Sequence, residues 1–250
     1  IVDNPSDTVT ENSSEGTDTI SSSVTFTASS NVENLYLIGS NYIHGTGNAL
    51  NNILRGNSSH NILTGGDGND RLYGNSGNDN LNGGEGNDIL SGGSGVDTAV
   101  FSSQSNQINL NLTSIQNTGD GNDILTSIEN VSSGHGDDTI IGCSAANSLY
   151  GGYGEDTLIG GAGNDYLNGG HGDDNMSGGS GDDRYVVNIN SDIVTESASS
   201  GTDLIYSSAT NYILSSNVEN LYLIGSTNIN GTGNNLANTI TGNSGNNTLI

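Results

Sequence analysis

Apolar residues stand almost singly along much of this chain, and their spacing is regular. Residues 65–100 read GGDGNDRLY, GNSGNDNLN, GGEGNDILS and GGSGVDTAV, four units of nine without a gap. Residues 133–186 supply six more, and an isolated copy, TGDGNDILT, occupies 118–126. Weaker copies fill 47–64 and 233–250, which brings the total to fifteen units. Twelve carry Leu or Ile at position eight; the others hold Ala99, Met176 and Tyr185. One apolar residue between polar neighbours is the period-two pattern of a short strand over positions seven to nine. Glycines at positions one, two and four predict a tight turn between strands. A strand with a single inward side chain cannot bury it alone. Stacking the units as parallel coils gives a continuous Leu/Ile ladder and pairs the backbone from coil to coil. The expected fold is therefore an all-β solenoid, with Leu81, Leu90, Leu158 and Leu167 pointing inward.

Position six adds chemistry to this frame. It is Asp in ten units: Asp70, Asp79, Asp88, Asp97, Asp123, Asp138, Asp156, Asp165, Asp174 and Asp183. Coils stacked at ~4.8 Å would align these carboxylates in columns that repel one another unless cations lie between them. Oxygen ligands favour a hard divalent ion. Composition points the same way: 28 acidic residues face only 3 basic ones, a formal charge of −25, and hydrophobic residues make up 30% of the chain. So weak a core with so large a charge borders on disorder without a counter-ion.

The GGxGxDxUx pattern resembles the RTX, or haemolysin-type calcium-binding, nonapeptide repeats. The resemblance implies a right-handed parallel β-roll in which two nonapeptides make one coil and Ca²⁺ lies between turns. Asp70 would then face Asp88, and Asp79 would face Asp97. In the later block, Asp138, Asp156 and Asp174 would form one column and Asp165 and Asp183 the other. Complete Asp pairs imply five ions, and mixed Asn–Asp pairs with Asp123 extend the range to nine. Asn replaces Asp at Asn52, Asn61, Asn147, Asn238 and Asn247. A neutral amide can ladder without a counter-ion, so these turns are expected to bind calcium weakly or not at all.

The repeats divide the chain into blocks at 47–100 and 133–186, with the start of a third at 233–250. Segments 1–46 and 187–232 are copies of each other: VTENSSEGTDTI at 9–20 matches VTESASSGTDLI at 194–205, and NVENLYLIGS recurs at 31–40 and 217–226. Apolar clusters about nine to eleven residues apart suggest that the solenoid continues there with different turns. Segment 101–132 breaks the register and reads as a loop or bulged coil, although Ile108 to Leu112 alternates as a strand. A unit of about 186 residues seen one and a third times reads as a window on a longer tandem protein. Glu33 and Glu219 are open between calcium ligands and coil caps.

Other chemistries fit poorly. Arg55, Arg71 and Arg184 are the only basic side chains apart from His, too few to neutralise nucleic-acid phosphates or to build a P-loop. Cys143 alone makes neither an intrachain disulfide nor a Cys-based zinc site. The longest apolar stretch, Leu35 to Ile38, falls far short of a membrane span. His44, His60, His135 and His171 read as surface residues, and the Asp pairs at 137–138, 173–174 and 182–183 as metal turns rather than catalytic dyads. The expectation is a non-enzymatic calcium-binding structural segment of a secreted or cell-surface bacterial protein, with self-association or a surface glycan as further partners. The alternative is the calcium module of a type I-secreted enzyme (a metalloprotease, lipase or alginate epimerase) or toxin.

Overall fold

A computed structural model describes residues 1–102 and 105–250. Among these residues the chain is all β, with no helix, and forms a parallel β-solenoid. None of the described residues form a helix long and apolar enough to cross a membrane. The chain divides into two units, Ile1–Ser102 with Leu112–Val131 and 105–111 with Ser132–Ile250.

In the first unit, strands Thr19–Ser22, Asn34–Leu37, Ile53–Arg55, Arg71–Ser76, Ile89–Ser94 and Asn122–Thr126 stack in parallel as one sheet. Phe26–Thr27, Gly45–Thr46, Ile62–Asp67, Asn80–Glu85 and Thr98–Val100 form the other. Successive strands alternate between the two, so each coil consumes two nonapeptides. Leu63 aligns with Leu81 and Leu72 with Leu90, one coil of eighteen residues apart. The second unit repeats this arrangement. Thr157–Ala162 pairs with Asn175–Ser180 in one sheet, and Ser148–Tyr153 with Tyr166–His171 in the other. The latter sheet runs on in parallel through Arg184–Val187, Leu204–Ser207, Asn220–Leu223 and Thr239–Thr241, beyond the nonapeptides.

The inward ladder follows the sequence expectation. Leu81, Leu90, Leu158 and Leu167 are fully buried, as are Leu54, Leu63, Leu72, Ala99, Ile140, Leu149 and Tyr185. Each buried Leu contributes about 2 kcal/mol, and dense stacking compensates for the low apolar content.

Two expectations need correction. The strands are six residues long in most repeats, not three; Ile62–Asp67, for example, runs from position seven through position three of the next unit. Its burial alternates so that Leu63 and Gly65 both face inward. Gly65 is therefore a strand residue: a Cβ there would collide with the Asp70 carboxylate and the Gly83 carbonyl. Positions two and four do hold the expected positive φ, 118° at Gly66 and 114° at Gly68, a region closed to most side chains, and the bend itself falls at position four. The second correction concerns the alternating run 108–112. Only Gln107–Asn109 is strand; Leu110 keeps one ladder bond to Ile141, and Asn111 then turns away, its amide donating to the Gly142 carbonyl. In the first unit, Gln116–Asn117 makes a short antiparallel hairpin with Asn122–Thr126, through which Leu125 rejoins the stack opposite Leu90.

Candidate metal centre

Each turn ends on the position-six carboxylate, and the coil spacing brings these groups into register. One carboxylate oxygen, Oδ1, accepts the backbone N–H of the position-six residue one coil earlier. Asn52 donates to Asp70 (2.6 Å), Asp70 to Asp88 (2.7 Å) and Asp88 to Asp123 (2.7 Å). On the other side of the first unit, Asn61 donates to Asp79 (2.6 Å) and Asp79 to Asp97 (2.8 Å). In the second unit, Asp138, Asp156 and Asp174 form one such column, and Asp165 and Asp183 belong to the other.

The second oxygen is left over. Oδ2 of Asp70, Asp79, Asp88, Asp97, Asp138, Asp156, Asp165, Asp174 and Asp183 is buried and makes no hydrogen bond. These nine side chains are at most 2% exposed. Around several of them lies more oxygen. The space that a Cβ of Gly74 would fill is shared by Asp79 Oδ2 and the Gly92 carbonyl, and that of Gly151 by Asp156 Oδ2 and the Gly169 carbonyl. Carboxylate and carbonyl oxygens brought together form a hard-cation donor set, and the residues fit calcium.

Burial makes these carboxylates reluctant anions. Desolvation pushes Asp88 and Asp156 up to about 7, and the neighbouring carboxylates of their columns add to the rise. Asp70, Asp79, Asp165, Asp174 and Asp183 are pushed to about 6 by the same burial. Asp97 and Asp138 are raised as well, again chiefly by desolvation. Either a proton or a cation must accompany each one.

The Asn turns close on themselves. Asn52 Oδ1 accepts the N–H of Asn48 in its own turn, and its amide donates to the carbonyls of Val32 and Glu33. Asn61, Asn147 and Asn238 likewise accept from Asn57, Cys143 and Asn234. Asp123, the tenth acidic position, differs from the other nine because its Oδ2 accepts the Thr118 hydroxyl at 2.5 Å. Asp192, outside the nonapeptides, extends the Asp174 column but accepts N–H from Asn188 and Ile189 on its other oxygen.

Several participants lie outside the nine-residue pattern. Glu33, Glu129 and Glu219 take the place of the column Asp, accepting N–H from Asp18 (2.8 Å), Asp97 (2.8 Å) and Asp203 (2.9 Å). Each follows a residue pair whose first member has positive φ, namely Asn31, Ser127 and Asn217, and whose second is the buried Val32, Ile128 or Val218. The sequence SIEN at 127–130 is thus a third version of the NVEN motif. Position five carries a second ladder of opposite direction: Asn51 Oδ1 accepts from Asn69, and Asn69 Oδ1 from Asn87. Asn or Asp at position five in ten of the fifteen units is the signal for it in the sequence. His135 and His171 are exposed and stack on either side of Tyr153. Met176 lies in the core, whereas Tyr185, also in the core, sends its hydroxyl to Glu196.

A family model described as the RTX calcium-binding nonapeptide repeat (4 copies) matches residues 46–81, 64–99, 73–108, 150–185 and 232–250, the first three spans overlapping. No curated protein matches the chain. With the stacked Leu ladder and the carboxylate columns that run through these spans, the chain carries RTX calcium-binding nonapeptide repeats and is a calcium-binding structural repeat domain.

Proposed function

We propose that the chain is a calcium-clamped structural segment of a secreted or cell-surface bacterial tandem-repeat protein, with a mechanical rather than catalytic role. Nine position-six carboxylates, Asp70, Asp79, Asp88, Asp97, Asp138, Asp156, Asp165, Asp174 and Asp183, hold between them most of five to nine calcium ions, together with glycine carbonyls of the adjoining coil. The observation that carries this reading is the unpaired, buried Oδ2 on all nine.

The physical logic is one of linkage. A −25 chain with a thin core is expected to be expanded without metal. Calcium that binds only the coiled form adds its binding free energy to folding. Extracellular modules commonly bind at ~10⁻⁴–10⁻³ M, so the calcium outside a cell is high enough to fold such a chain and that inside is not. The acidic pairs have a structural use: Asp138 belongs to the metal column, while Asp137 Oδ1 accepts the N–H of Glu155.

Circular dichroism at neutral pH tests the proposal. The chelated chain should show little β signal and should gain it cooperatively as calcium rises to about 5 mM, above the usual extracellular range. The same strong β signal with excess chelator as with calcium would contradict it.

A further inference from the structure

The last nonapeptide of the second block does not end the acidic column. Its Asp183 N–H donates to Oδ1 of Asp203 at 2.9 Å, across a coil of twenty residues instead of eighteen. This longer coil contains Glu196. We infer that Asp183, Glu196 and Asp203 form a calcium site of their own, tighter than the sites of the nonapeptide turns. The inference rests on the calcium reading above and extends it to residues outside the repeat motif.

Each of the three residues offers a carboxylate oxygen within 4.8 Å of the other two. Asp183 and Asp203 are 0% exposed and Glu196 is 7% exposed. Oδ2 of Asp183 and Oδ2 of Asp203 are both buried without a hydrogen-bond partner. The space beside Gly178, where a Cβ would go, is bounded by Asp183 Oδ2 and the Tyr185 hydroxyl. Three buried carboxylates this close repel one another strongly unless a cation lies among them. An all-oxygen set with three negative charges favours calcium, and charge count raises its affinity.

The neighbours hold Glu196 ready. The Tyr185 hydroxyl donates to Glu196 Oε1 and accepts the Gly178 N–H at 2.6 Å. The Ser200 hydroxyl donates to Glu196 Oε2 at 2.7 Å. This arrangement explains why Tyr185 stands at an inward position where twelve of the fifteen repeats carry Leu or Ile: only a side chain with a polar tip reaches from the core to the carboxylate. The Glu and Asp also recur together. Glu11 and Asp18 occupy the matching places in VTENSSEGTDTI, and Asp18 Oδ2 is likewise buried and unpartnered.

The test is a calcium-binding isotherm on the full chain, compared with Glu196→Gln and Tyr185→Phe. Terbium, a hard analogue whose emission is excited by a nearby tyrosine, serves as a second probe. Glu196→Gln should lose one bound ion and the tightest step, weakening that step about tenfold or more through loss of a ligand charge. It should still gain β structure at saturating calcium. Tyr185→Phe keeps the core filled; it should weaken the same step and lose the emission sensitised by the first equivalent of terbium. An unchanged ion count and tightest step in Glu196→Gln, with terbium emission intact in Tyr185→Phe, would overturn this site and leave the nonapeptide sites standing. A wild-type chain that takes up no calcium would overturn both.

Discussion

Asn147 and Asp165 occupy the same place one coil apart, yet they solve opposite problems. Asn147 turns its carbonyl oxygen to the N–H of Cys143, at 2.7 Å in its own turn. Asp165 gives one oxygen to the N–H of Asn147, at 2.7 Å, and leaves the other buried without a partner. The amide turn is complete within the protein, and the carboxylate turn is completed from outside. Leaving a buried carboxylate unpaired costs several kcal/mol, more than the ~2 kcal/mol that its neighbouring Leu returns. On the function proposed above, the Asp regions fold only with the ion, whereas the Asn coils that border them carry no such condition.

The comparison is sharpened most by removing carboxylates from a column. Asp156 stands between Asp138 and Asp174, whereas Asp70 has Asn52 on one side. With calcium about tenfold above Kd, one bound ion stabilises by ~1.4 kcal/mol. Asp156→Asn should then cost ~3 kcal/mol and Asp70→Asn about half of that, read as shifts in the calcium midpoint of unfolding. Equal shifts would mean that ions do not bridge neighbouring coils.

Acid should partly replace calcium. The Asp carboxyls rise on folding from an ordinary 3.8 to about 6 or 7. A raised carboxylate pKa contributes stability below the unfolded value and loses it as pH rises through the folded value. Without metal, the coils should thus gain stability as pH falls from about 7 towards 4. In chelator, the β signal at pH 5 should exceed that at pH 7.5, and uptake of calcium near pH 6 should release protons. A chelated chain that loses β structure steadily on acidification over this range would contradict the assignment.

The smallest expected effect comes from converting one kind of turn into the other. Asn147→Asp places a carboxylate one coil before Asp165, so it should add or tighten one calcium site by up to about tenfold. It should also weaken the metal-free fold at neutral pH. Unchanged calcium stoichiometry and affinity would show that the turn, not its side chain, decides.

The legible part of this molecule is the part with period nine. Leu72 and Leu90, or Asp70 and Asp88, could be paired from the regular spacing together with the two-repeat coil that the RTX resemblance implies, because one coil there has eighteen residues. Where coil length changes, the pairing is hidden. Asp183 meets Asp203 twenty residues on, Asp203 meets Glu219 after sixteen, and Asp97 meets Glu129 after thirty-two. Glu at these places serves the same ladder because its longer side chain still reaches the preceding N–H, so no Asp pattern reveals it. The strand length was missed for another reason. Gly65 looks like a turn residue from its flexibility, but it is needed inward for want of a Cβ, beside the Asp70 oxygen.

Anomalous diffraction from crystals grown in calcium and soaked in terbium locates the metal directly. Metal peaks are expected within coordination distance of the Oδ2 atoms of Asp70, Asp79, Asp88, Asp97, Asp138, Asp156, Asp165, Asp174 and Asp183, and none within reach of the Asn238 or Asn247 side chains. Peaks at those Asn turns, with the Asp columns empty, would contradict this placement.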